Sequence, residues 1–151
     1  MKNAELTVEF ISHVLACGLG PNGERDHFQR TSTKELIFQQ AWWFSAFADA
    51  IQCSNIRGIK PNHISMQLTI NAPTQIYKRK YSRGRYRMHE AIFPGTKVTF
   101  KALVADHVTE SNLRVILERM GAFVGISPYG HNLGYGLFSV IGVKISPSSE
   151  D

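Results

Sequence analysis

A chain of 151 residues is enough for one domain and too short for two ordinary ones, and its 43% hydrophobic content can build a core without disulfide or metal support. Seventeen lysines and arginines face twelve aspartates and glutamates, a net charge of +5 that favours polyanionic partners, either nucleic acid or an anionic membrane surface. Cys17 and Cys53 form no C-x-x-C pair, no apolar run approaches the roughly 18 residues of a membrane span, and Met1-Lys2-Asn3-Ala4-Glu5 has no signal-peptide pattern, so the expectation is a cytoplasmic product with reduced thiols, no cofactor and no metal.

In chain order, Leu6, Val8 and Phe10 alternate with Thr7 and Glu9, which predicts a strand over Leu6–Leu15. Three glycines, a proline and charged residues from Gly18 to His27 mark an exposed loop. From Lys34 to Cys53 the apolar residues Trp42, Trp43, Phe47, Ala50 and Ile51 recur at three and four, which predicts a helix. Adjacent helical positions point about 100° apart, so one of the two tryptophans is expected in the core and the other more exposed. Arg57 to Asn62 turns the chain. Ile64, Met66, Leu68 and Ile70 then alternate as a half-buried strand.

A basic segment follows, and Pro94-Gly95 marks a turn. Val98 to Val104 reads as another strand. Thr109 is placed to cap a helix whose apolar face is Leu113, Ile116, Leu117 and Met120, with Gly121 as its C-cap. Beyond a glycine-rich stretch, Leu137–Ile145 reads as the last strand, and 146–151 as a disordered tail. Strand, helix, strand, strand, helix, strand is the order of the α+β ferredoxin-like βαββαβ fold, an antiparallel sheet with two helices on one face, here spanning 1–145. The bare face of such a sheet often serves as a platform for single-stranded nucleic acid.

Two segments could carry chemistry. Tyr77-Lys78-Arg79-Lys80-Tyr81-Ser82-Arg83-Gly84-Arg85-Tyr86-Arg87 holds six cations and three tyrosines without an acid. Neighbouring like charges repel, phosphates supply the counter-charge, and tyrosine rings can stack on unpaired bases. The alternative is a solvated tip that is basic for solubility. The second segment, Gly121 to Phe138, has glycines at 125, 130, 134 and 136 with His131 between them. Glycines allow positive φ and close approach to a ligand or to the rest of the fold, and their spacing matches neither the dinucleotide fingerprint nor the P-loop.

The helix followed by a glycine-rich loop that closes as Gly134-Tyr135-Gly136-Leu137-Phe138 resembles the signature of the RAMP superfamily. That superfamily includes RNA-binding backbone subunits and repeat-processing nucleases of CRISPR systems. The stretch Gly18 to Asp26 leading into Trp42-Trp43 is similar to small phage-type proteins with the same ending. The resemblance implies a ferredoxin-like fold and RNA as partner. It departs from the family in having Leu137 where an arginine often stands.

Six histidines raise a catalytic alternative, since metal-free RNA cleavage needs a general base, a general acid and a cation. His27 and His131, with Arg25 or Arg30 as the cation, are the candidates; no H-E-x-x-H motif or spaced carboxylate cluster is present. The sequence thus points to a non-catalytic protein that binds single-stranded RNA or DNA through Tyr77, Lys78, Arg79, Lys80, Tyr81, Arg83, Arg85, Tyr86 and Arg87. Gly125, Gly130, His131, Gly134 and Gly136 form a secondary loop site, and Arg25, His27 and Arg30 are further candidates. Its expected setting is a homo-oligomer or a nucleoprotein complex, with Gly18–Arg30 and the Trp42–Trp43 helix as contacts between copies. The alternatives are a metal-independent endoribonuclease and a phage-coded inhibitor that mimics a CRISPR subunit.

Overall fold

A computed structural model describes residues 1–18, 25–126 and 133–146. Among these residues the fold is α+β, with antiparallel sheets and two α-helices. Its strands are β1 (Lys2–Phe10), β2 (Val14–Leu15), β3 (Leu36–Ile37), β4 (Ile64–Met66), β5 (Thr69–Ile70), β6 (Gln75–Ser82), β7 (Arg85–Ile92), β8 (Lys97–Val104) and β9 (Phe138–Ser146). The helices are α1 (Gln40–Ser54) and α2 (Glu110–Arg119).

The main sheet has the order β4-β8-β1-β9, and each adjacent pair is antiparallel. It joins the four segments in which alternation predicts strands, with the first strand in the middle. Alternation explains the layering. Ala4, Leu6, Val8 and Phe10 of β1 and Val98, Phe100, Ala102 and Val104 of β8 are buried on one face. The helices supply the other half of this core. Trp43, Ala46, Phe47 and Ala50 recur at helical spacing along α1, and Trp43 meets the Phe100 ring edge-on at 4.8 Å. Leu113, Ile116 and Leu117 of α2 join the same cluster.

Several predicted segments differ from the observed ones. The strand expected over Leu6–Leu15 breaks after Phe10, and Val14–Leu15 pairs instead with Ile92 and Ala91 of β7. Ile64–Ile70 divides likewise: β4 stays in the main sheet, and β5 pairs with β3. Residues before Gln40 are extended rather than helical, because Leu36 and Phe38 are both buried at a spacing of two. Of the two tryptophans, Trp43 is buried and Trp42 is the more exposed, packed on Phe28 and Phe38; the exposed aromatic of α1 is Phe44.

Thr109 caps α2 as its sequence implies, its Oγ1 accepting from the Asn112 N–H at 3.1 Å. The helix does not stop at Gly121 but runs into a π-helical turn, Met120–Val124, that ends at Gly125 with φ +82°. Gly121 instead permits a close approach of backbone to backbone, since a Cβ there would lie 2.2 Å from the Phe138 carbonyl oxygen of β9. The last strand extends to Ser146; the remaining residues of the expected tail lie outside the described ones.

Gly121→Ala is expected to destabilise the fold by about 2–3 kcal/mol, because backbone cannot give way as a side-chain end can. Urea unfolding monitored by tryptophan fluorescence checks this, and an unchanged midpoint would contradict the close approach.

Candidate nucleic-acid interface

The open face of the main sheet is the expected platform, and its chemistry does not suit one. It carries Asn3, Glu5, Thr7 and Glu9 on β1, Lys97, Thr99, Lys101 and Leu103 on β8, and Ser139 and Lys144 on β9. None of these is aromatic. Glu5 lies in register between Lys101 and Lys144, and Glu9 faces Lys97 with a 4.0 Å charge pair. Lys97 is thus paired, and Lys101 and Lys144 stand in register beside the carboxylate of opposite sign on Glu5.

The basic segment has a shape that its composition does not announce. It forms a β-hairpin, β6 and β7, closed by Arg83-Gly84, with Gly84 at φ +71°. The register sorts its side chains. Tyr77 faces His89 and Arg79 faces Arg87, while Lys78 faces Met88 and Lys80 faces Tyr86 on the opposite side. The first face lies against the body of the protein. The second is open, with Tyr86 50% and Met88 55% exposed, and Tyr81, beside the register shift near the tip, 52% exposed.

On the open side, the Lys78 ammonium sits 4.3 Å from the centre of the Tyr86 ring; Arg79, from the inner side, has its guanidinium 5.8 Å from the centre of the Tyr81 ring. Lys78, Lys80, Arg83 and Arg85 are exposed, and among the described residues none of them forms an ion pair. The nine residues expected to bind therefore divide. Arg87 belongs to the inner side, where both its Nε and its Nη2 donate to Asp26, the latter at 2.9 Å. Arg79 donates from Nε to His89 Nε2 at 3.1 Å.

The further candidates also divide. Arg25 is exposed and joins Asp26, Tyr81, Tyr86, Arg87 and Met88 around a recess of about 480 Å³. Arg30 is committed to Glu90, with Nη1 on Oε1 at 2.9 Å and Nη2 on Oε2. His27 is half-buried, with Nδ1 3.7 Å from Glu90 Oε1. A cation for cleavage chemistry at His27 would have to come from elsewhere than Arg30. Sequence reasoning missed Asp26 and Glu90 altogether. Two lone acids outside the basic segment give no signal by spacing.

The glycine-rich loop meets the hairpin through Tyr135. Its ring lies 6.0 Å from that of Tyr77, and burial and a hydrogen bond with Tyr77 push its hydroxyl up to about 12. His13 packs on the other side of Tyr77 at 4.1 Å. Gly136, at φ +73°, is demanded by the fold, since a Cβ there would meet the Ile126 carbonyl oxygen at 2.6 Å. Gly125 and Gly134 also adopt positive φ. Gly130 and His131 lie outside the described residues. No helix is long and apolar enough to cross a membrane, and no group of three acidic, histidine or cysteine residues could hold a metal, among the described residues.

Burial sets two titrations. His89 is enclosed, and its pKa is lowered first by that burial; Nδ1 donates to the Ala16 carbonyl at 2.8 Å, while Nε2 accepts from Arg79. For Glu90, burial pushes upward, but hydrogen bonds from Arg30, Thr74 and the Phe28 N–H hold its carboxyl below the usual range.

No family model matches this sequence, and no curated protein is significantly similar to it. Solved structures are similar in shape. The chain matches one from the cryo-EM structure of the Type III-B Cmr-beta bound to cognate target RNA, with 10% identity and a TM-score of 0.56. It does so over 97% of its own length and 61% of that chain, so it spans less than two thirds of this neighbour. A match to the crystal structure of Thermofilum pendens Csc2 has 11% identity and a TM-score of 0.35, over 99% of this chain and 68% of the other. The first likeness shows a shared fold.

The lowered His89 pKa means that the unfolded chain binds more protons below the ordinary imidazole value of about 6.5, so stability is full above it and falls as pH drops toward the folded value. Urea unfolding at a series of pH values is expected to show this loss as pH falls below about 6.5, and a shallower loss in His89→Gln. Equal slopes in the two proteins would contradict it.

Proposed function

We propose that the protein binds single-stranded nucleic acid, RNA foremost, along the open face and tip of the β6–β7 hairpin. The observation that carries this reading is the grouping there of Lys78, Lys80, Arg83 and Arg85 with half-exposed Tyr81 and Tyr86. Phosphates neutralise the cations and release condensed counterions, and the rings offer a stacking surface to any unpaired base. Arg25 extends the basic rim across the recess beside β7. Phosphate contacts and ring stacking are both tolerant of sequence, so the expected preference is for single strands without strong sequence selection.

The fold supports a place among RAMP-type CRISPR subunits. Numbered among themselves, the four strands of the main sheet run second, third, first, fourth, which is the order of a ferredoxin-like sheet. The small sheets and the hairpin are then insertions on that core. The neighbour of known structure was solved with target RNA bound, which favours RNA as the partner and a nucleoprotein complex as the setting. The role is binding rather than cleavage, because His27 stands beside a buried carboxylate whose arginine is already engaged.

The salt dependence of binding to a labelled oligonucleotide tests this function. Log affinity is expected to fall linearly with log salt, and Arg83→Ala with Arg85→Ala to flatten the slope by roughly 1–1.5 units, at about 0.7 per phosphate. Tyr86→Ala is expected instead to cost about 1–3 kcal/mol at nearly constant slope, because stacking releases no ions. A double variant that binds as tightly as the parent at every salt concentration would overturn the reading.

A further inference from the structure

We infer that Asp26 and Glu90 are positioning residues for the hairpin, two carboxylates that lie beside a polyanion site and yet are required for tight binding. The inference rests on the function proposed above. Charge alone argues the reverse. A carboxylate among binding cations lowers the local potential, so its removal would strengthen binding.

The geometry opposes that expectation. Asp26 is 3% exposed and Glu90 6% exposed, so neither is a surface charge. Asp26 takes a positive φ of 63°, and its carboxylate accepts both Nε and Nη2 of Arg87. Its backbone carbonyl accepts from the Glu90 N–H at 3.0 Å. Glu90 in turn accepts from the Phe28 N–H at 2.8 Å, from Thr74 Oγ1 at 2.7 Å and from Arg30. Three separate stretches of chain thus converge on the base of β7: the 25–30 segment, the approach to β6, and β7 itself.

The register explains why such a clamp is needed. Arg79 and Arg87 stand directly opposite each other, an unfavourable cross-strand pair. Asp26 supplies the counter-charge on one side. With that carboxylate neutral, Arg87 remains close to Arg79 and the hairpin loses its orientation relative to the main sheet. A hairpin free to swing must be ordered at the moment of binding, and that ordering reduces affinity.

The test uses the whole chain, a labelled oligouridine strand and two variants. Asp26→Asn removes the charge; Arg87→Lys keeps the charge and loses the fork that fits a carboxylate. Both are expected to bind about tenfold more weakly, the scale of a charge-assisted bond. Amide exchange should quicken in 76–88 and stay at parent rates in β1 and β8. Binding by Asp26→Asn that equals or exceeds the parent's, with β1 and β8 still protected, would overturn the inference. If that variant does not fold, Arg87→Lys decides alone, and parent-like affinity there overturns it. The Arg83/Arg85 double alanine separates the two levels. If it weakens binding and the clamp variants do not, the clamp is wrong and the interface stands; if none of them weakens binding, the interface falls as well.

Discussion

Six cations within eleven residues cannot fold into a paired hairpin unless something relieves their repulsion, and the way this chain does so shapes the rest of the molecule. Pairing places Arg79 against Arg87. Two buried groups receive them: Asp26, itself held in a left-handed backbone conformation, and His89, whose charged form is disfavoured by burial and whose ring is oriented by its bond to Ala16. Around these contacts the chain between β1 and α1 is drawn back over the hairpin, and Arg30 is used up on Glu90. The hairpin therefore has a fixed inner side, and its remaining cations face outward.

This division is what turns a basic composition into a candidate surface. An arginine that neutralises an internal aspartate adds to the net charge without being offered to a ligand. The outward residues Lys78, Lys80, Arg83 and Arg85 are so offered, and Lys78 packs over a tyrosine ring that keeps half of its area open. The main sheet, by contrast, alternates its exposed charges in sign across the strands, with Glu5 in register between two lysines and Lys97 paired with Glu9. In the function proposed above the sheet is a scaffold, and the appended hairpin offers a strand of nucleic acid both charge and stacking.

The main sheet was legible because period-two alternation in Lys2–Phe10 and Lys97–Val104 has one physical meaning, a strand with one wet face. The core face of α1 was legible for the corresponding reason at period 3.6. What escaped was decided by contacts remote in sequence. Val14 and Leu15 continue the alternation of β1 yet leave its sheet, because β7 offers them a partner some 75 residues away. Leu36 and Phe38 look like the start of a helix until Ile70 pairs with Leu36. The basic segment read as binding material, but the difference between Arg85 and Arg87 depends on the parity of strand register and on an aspartate about 60 residues upstream. Gly121 read as a helix cap, and Gly136 as suited equally to a ligand or to close packing; both make room for backbone, that of Phe138 and that of Ile126.

The most direct measurement of the central claim is a map of amide chemical-shift changes in the isotope-labelled protein on titration with single-stranded RNA. Shifts should concentrate at Lys78, Lys80, Tyr81, Arg83, Arg85 and Tyr86, extend to Arg25, and leave Thr7, Thr99 and Lys101 on the open sheet unmoved. Shifts centred on that sheet face, or none at saturating RNA, would contradict the account.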